Sequence, residues 1–217
     1  MKEKVIVSDF DGTITKKDTL YAFLLENAPN NEVNRIGQEW EIGNINSQEC
    51  IIQEFNLIPN INEEMINRFI DKIELDEGFI YFNKQRIKAN IDFVIVSDGL
   101  DYFINKILDK YNLNNFEVIT NHAEFKKGKF EITFPNNSNS CKINAGTCKC
   151  KAIENLKKNY KTIYYCGDGV SDYCVANKAD KTFAKSKLAK YCAKNNIAYK
   201  EFSNFKDIWD ELNYVLL

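Results

Sequence analysis

Val5-Ile6-Val7-Ser8-Asp9-Phe10-Asp11-Gly12 decides how this chain is read. Three β-branched residues in a row, without polar alternation, have the texture of a strand buried on both faces, as in a parallel sheet. The run stops at two aspartates one residue apart. Two later stretches repeat the pattern: Ile91-Asp92-Phe93-Val94-Ile95-Val96 ends in Ser97-Asp98-Gly99, and Thr162-Ile163-Tyr164-Tyr165-Cys166 ends in Gly167-Asp168-Gly169. In open α/β sheets ligands bind beyond the carboxyl ends of the strands. Adjacent strands would therefore bring Asp9, Asp11, Ser97, Asp98, Gly99 and Asp168 to one rim. Asp172, four residues past Asp168, can face the same pocket from the start of the next helix.

Working outward, the stretch 15–88 has a different texture. Leu20, Phe23, Leu24 and Ala28 recur at helical spacing, as do Val33, Ile36 and Trp40. Further helices are predicted over 47–56, 62–73 and 77–88, punctuated by Asn30-Asn31, Gly43-Asn44 and Pro59-Asn60. From Ile91 onward strands and helices alternate. A strand is expected at 117–120 and a hairpin of 123–125 with 129–134. Thr147 is read as the cap of a helix reaching Lys158, and shorter elements follow to the C-terminus. The pattern predicts an α/β fold: a doubly wound, Rossmann-like parallel sheet with an inserted all-helical cap. The expected core is 1–14 with 89–217, and the cap is 15–88.

Composition narrows the function. Of 217 residues, 29 are Lys or Arg and 31 are Asp or Glu, for a net charge of −2. That balance argues against nucleic acid or a membrane surface as partner, since both call for a basic face. No apolar run approaches the length of a membrane span. A single histidine excludes histidine-cluster zinc sites and leaves little room for Ser-His-Asp chemistry; His122 is read as structural. The seven cysteines, with no signal-peptide pattern at the start, predict free thiols in a cytoplasmic protein. Cys141, Cys148 and Cys150 match no common zinc spacing. Phe23, Trp40 and Phe55 are read as cap core rather than a substrate cage.

Converging carboxylates repel unless a cation sits among them, and an all-oxygen set suits Mg²⁺. A lysine at a helix start, Lys149 or Lys151, could add charge for a substrate anion. This is a layout for phosphoryl transfer: Asp9 can attack phosphorus, and Asp11 can protonate the leaving oxygen and then activate water.

These motifs, in this order and along the whole chain, resemble those of the haloacid dehalogenase superfamily of phosphatases, with the helical cap of its phosphoserine-phosphatase-like branch. The resemblance implies that Asp9 is the nucleophile and Asp11 the general acid/base. It implies that Ser97, with its neighbours Asp98 and Gly99, meets the phosphate, together with the lysine. It assigns Mg²⁺ to the carboxylates of Asp9 and Asp168 and the Asp11 carbonyl, with Asp172 in support.

Within the superfamily, Phe55–Pro59, Asn121-His122-Ala123 and Gly146–Lys149 resemble the 2-hydroxy-3-keto-5-methylthiopentenyl-1-phosphate phosphatases of methionine salvage. The phosphoethanolamine/phosphocholine phosphatases are similar around Cys148-Lys149 and 167–174. Both point to Lys149 rather than Lys151. Phosphoserine enzymes read the substrate ammonium with a glutamate nine residues after the nucleophile, where Asp18 stands, and its carboxylate with a cap arginine, where an ungapped alignment puts Glu54. An acid there repels a carboxylate, so an uncharged or cationic phosphorylated metabolite is the expected partner. A phosphotransferase would share every motif, and a receiver-like switch would need neither the cap nor Asp11.

Overall fold

The computed structural model describes residues 2–141 and 143–216. Seven strands form one sheet: β1 Lys2–Ser8, β2 Asp92–Leu100, β3 Glu117–Lys126, β4 Lys129–Thr133, β5 Tyr160–Gly167, β6 Lys181–Ala184 and β7 Lys200–Glu201. Their order is β4-β3-β2-β1-β5-β6-β7. Every pairing is parallel except β3 with β4, which closes one edge as a hairpin. The apolar run at 5–7 lies at the centre of the sheet and is fully buried, as both-face burial requires. Register then positions the rim. Ser8 pairs with Ile95 on one side and with Cys166 on the other, so Asp9 emerges between the ends of β2 and β5. The segment 117–126 is one continuous strand rather than two.

Helices α1 Thr19–Asn27, α2 Asn30–Glu41, α3 Ser47–Asn56, α4 Glu63–Lys72 and α5 Phe79–Lys88 separate β1 from β2. Their starts follow from capping chemistry. Asp18 accepts from the Tyr21 N–H, Asn46 and Glu49 form a reciprocal capping box, and Asn62 accepts from the Met65 N–H. The chain leaves the sheet and returns at one place. Thr15 and Leu75 form an antiparallel bridge, flanked by Lys16 N–H to Glu74 O at 3.0 Å and Asp76 N–H to Ile14 O at 2.8 Å. Residues 16–74 lie between these two crossings. Helix α5, which periodicity groups with the insertion, lies after this crossing. Its Phe79 and Phe82 meet Phe205 edge-on at 4.9 and 5.0 Å, and Phe93 of β2 likewise.

Helices α6 Asp101–Lys110, α7 Lys149–Leu156, α8 Ser186–Lys194 and α9 Phe205–Leu216 complete the fold, with a single 3₁₀ turn at Val170–Asp172. Phe23 of α1, Phe55 of α3 and Phe69 of α4 pack edge-on or tilted against Phe103 of α6, so the insertion rests on the sheet-covering layer through aromatic contacts. Helix α7 begins at Lys149 with Cys148 at its cap position and no side-chain cap. Thr147 is not that cap: its hydroxyl donates to Asn121 Oδ1 at 3.0 Å. After β5 the chain forms only this 3₁₀ turn, followed by irregular turns to 178.

Candidate active site

The ends of β1, β2 and β5 meet at a cleft of about 620 Å³, whose other wall is α1–α3. Asp9 is buried, and Oδ1 accepts from the Phe10 N–H at 2.7 Å. Lys149, with no exposed surface, reaches Asp9 Oδ2 at 3.0 Å, Asp172 Oδ1 at 2.5 Å and Ser171 Oγ at 3.0 Å. Lys151 is exposed on the outer side of α7. Burial alone would lower the Lys149 pKa, but the flanking Asp172 and Asp9 outweigh it and hold the ammonium charged.

Asp172 is fully enclosed. Oδ1 also accepts from the Tyr165 hydroxyl at 2.5 Å, and Oδ2 accepts from the N–H groups of Asp168 and Gly169, each at 2.9 Å. Its carboxylate thus orients the lysine and fixes the turn carrying Asp168. Asp168 Oδ1 accepts from the Thr13 hydroxyl at 2.8 Å. Asp11 Oδ1 accepts from the backbone N–H and hydroxyl of Thr19. Its Oδ2 lies 3.4 Å from Ser97 Oγ, which itself accepts from the Gly99 N–H at 3.0 Å. Two glycines let these acids approach. A Cβ at Gly12, where φ is +72°, would stand 2.8 Å from Asp168 Oδ2, and one at Gly99 would stand 2.5 Å from Asp11 Oδ2.

Asp98 lines the same cleft as Asp9, Asp11 and Ser97. Its carboxylate is taken by Ser47 Oγ at 2.5 Å, the Thr147 N–H at 2.8 Å and Asn121 Nδ2 at 3.0 Å. It braces α3 against the sheet rim. His122 is half exposed and hydrogen-bonded to Asp101. The seven cysteines are free. Phe23 and Phe55 are buried, whereas Trp40 lines the cleft. Tyr165 and Thr19, both fully buried, carry no motif of their own; only their proximity to Asp172 and Asp11 hinted at a role.

Burial pushes the Asp9 carboxyl well up against the pull of Lys149, and the neighbouring carboxylates add to the rise. Burial, followed by Asp18, lifts Asp11 to about 7; burial, followed by Asp172, lifts Asp168 to about 6. Oxygens of Asp9, Asp168 and Asp172 lie within 4.8 Å of one another. Such crowding of hard oxygen donors, with ionisation opposed by burial, fits a small dication better than bare protein.

A parallel sheet with acids at the ends of its central strands and a helical insertion after the first defines a phosphatase of the haloacid dehalogenase class. A family model described as "Putative Phosphatase" matches residues 4–204, and the chain belongs to that family. Similar proteins include the 2-hydroxy-3-keto-5-methylthiopentenyl-1-phosphate phosphatases of Bacillus pumilus (strain SAFR-032), 33% identical over 96% of this chain and 90% of that one, and of Bacillus cereus (strain G9842), 31% identical over 97% and 96%. In fold the chain is similar to a phospho-aspartyl intermediate analogue of phosphoserine phosphatase (TM-score 0.72, 22% identity, 99% of both chains). Among the described residues no helix is long and apolar enough to cross a membrane.

Proposed function

We propose that the chain is a Mg²⁺-dependent phosphomonoester hydrolase acting on a small phosphorylated metabolite through an aspartyl-phosphate on Asp9. The observation that carries this is Lys149, buried against Asp9 and Asp172, which with Asp168 make a cluster of three acids. Asp9 attacks phosphorus as the bond to the leaving oxygen breaks. Asp11, held near 7 and so still protonated in part at neutral pH, gives its proton to that oxygen. It then takes a proton from the water that attacks phosphorus and releases phosphate from Asp9. Ser97 and Lys149 hold the phosphate oxygens. The carboxylates of Asp9 and Asp168 and the Asp11 carbonyl would hold Mg²⁺, which when bound neutralises phosphate charge. Asp172 supports the arrangement by hydrogen bonds to Lys149 and the 168–169 backbone. The segment 16–74 acts as a cap over the cleft, with the paired crossings at Thr15 and Leu75 as its base.

The names of the relatives favour a ketose 1-phosphate of the methionine-salvage type as substrate. The acids Asp18 and Glu54 in the cap wall favour an ester with a cationic head as the second reading. Free cysteines suit a cytoplasmic site of action. Phosphate release from a panel of phosphorylated metabolites and p-nitrophenyl phosphate, with Mg²⁺ and with EDTA, tests the proposal. Release that needs the metal is expected. No release from any ester, or full activity in EDTA, sinks it.

A further inference from the structure

The charged groups of the cleft are unevenly partnered. At the rim, Asp9 faces Lys149 and Asp98 has its three donors. At the mouth, Glu41 is paired with Lys187. Two carboxyls of the cap wall, Asp18 and Glu54, are in no ion pair among the described residues: Asp18 accepts from a backbone N–H and Glu54 from a thiol.

Glu54 sits on α3 and is 9% exposed. Its polar neighbour is the thiol of Cys50, one turn earlier, a weak donor. Across the cleft α2 presents Gly37, where a Cβ would stand 4.0 Å from Glu54 Oε1, so that position supplies no side-chain donor. Asp18 accepts from the Tyr21 N–H and is exposed to water in the cleft. Burial, followed by the charge of Asp18, lifts the Glu54 carboxyl to about 7. A buried carboxyl whose protein donor is a weak thiol is costly to ionise. A ligand group that donates hydrogen bonds relieves that cost, and a ligand carboxylate adds like charge to it.

We propose that Glu54 is a specificity-determining residue. It admits phosphate esters whose far end donates hydrogen bonds, as an ammonium or as hydroxyls, and turns away esters carrying a carboxylate there. The proposal rests on the phosphatase reading above. Phosphoethanolamine and phosphoserine differ by one carboxylate and so isolate the effect.

The test measures kcat/KM for phosphoethanolamine, a ketose 1-phosphate, phosphoserine and p-nitrophenyl phosphate, in the wild type and in Glu54→Gln and Glu54→Leu. In the wild type, phosphoserine should fall at least about tenfold below phosphoethanolamine. That ratio should shrink towards one in Glu54→Gln, and in Glu54→Leu if glutamine misfolds; taking a ratio within one variant cancels any general loss. A better rate for phosphoethanolamine than for the ketose ester assigns the donor as an ammonium, and the reverse assigns it as hydroxyls. Equal wild-type rates for phosphoserine and phosphoethanolamine overturn the proposal, as does a ratio unchanged in both variants. If p-nitrophenyl phosphate alone is hydrolysed, the proposal falls and the phosphatase reading stands. If no ester is hydrolysed, both fall.

Discussion

The two walls of the cleft are built on different terms. On the sheet side every charged group has a protein partner: Lys149 bridges Asp9 and Asp172, Thr13 serves Asp168, and Thr19 serves Asp11. On the helical side, Glu54 has only a thiol near it, and Asp18 has only backbone N–H groups at the start of α1. The sheet wall is arranged before any ligand arrives, as electrostatic catalysis requires. The helical wall keeps one buried acid, Glu54, whose protein donor is only a thiol. Chemistry and selection are thus divided between two kinds of secondary structure.

The most severe way to break the sheet wall is to remove its nucleophile. Asp9→Asn should lower phosphate release by about 10⁴-fold or more, while circular dichroism stays native; substantial turnover would remove the nucleophile assignment. Lys149 comes next. Replacing it with Met leaves Asp9 and Asp172 buried without a cation, which costs about 3–5 kcal/mol. That corresponds to a fall in Tm of roughly 10 °C for a chain of this size, with activity down by about 10²–10³-fold. A variant as stable as the wild type would show that the lysine does not hold this wall together. Asp11→Asn should cost about 10²–10⁴-fold with alkyl phosphates and far less with p-nitrophenyl phosphate, whose leaving group needs no proton. Equal losses for both esters would mean that Asp11 is not the acid.

The same division separates what could be read in the sequence from what could not. Asp9, Asp11, Ser97 and Asp168 were legible because parallel strands deliver whatever ends them to one rim, and a two-residue error in strand length does not move that rim. Lys149 was distinguishable from Lys151 only by resemblance; periodicity does not say which lysine turns inward. The bracing of the Asp98 carboxylate was not legible because its partners come from afar: Ser47, Asn121 and Thr147 are 51, 23 and 49 residues away. The packing of α5 was hidden for a similar reason. Helical spacing in 79–88 reports an apolar face, but not that the face is met by Phe205 of α9. Long-range packing left no local signal in either case.

Protonation offers a milder probe of the sheet wall. Asp11 and Asp168 have folded pKa values of about 7 and about 6, above the roughly 3.9 of an unfolded aspartate. The folded state therefore binds more protons. The stability they contribute is fully present below about pH 4 and is lost as pH rises through 6 to 7. A cation among the carboxylates reverses the loss. Thermal melts should show Mg²⁺ raising Tm by several degrees near pH 8 and by much less near pH 5. An equal shift at both pH values would mean that the cation does not bind these carboxylates.

The smallest effect belongs to the point where the two walls touch. Ser47 opens α3 and donates to Asp98 at 2.5 Å, and its own N–H reaches the carbonyl of Asn144 at 3.3 Å. Through this contact the rim fixes the start of the helix that carries Cys50 and Glu54. Ser47→Ala removes one donor from a carboxylate that keeps two others, so stability should fall by only about 1 kcal/mol. The nucleophile and acid are untouched, so kcat with p-nitrophenyl phosphate should change little. What should move is the position of α3 relative to the substrate, and with it KM for the preferred metabolite, upward by a few-fold. A loss confined to kcat would place Ser47 with the chemistry of the sheet wall rather than with selection by the helical one.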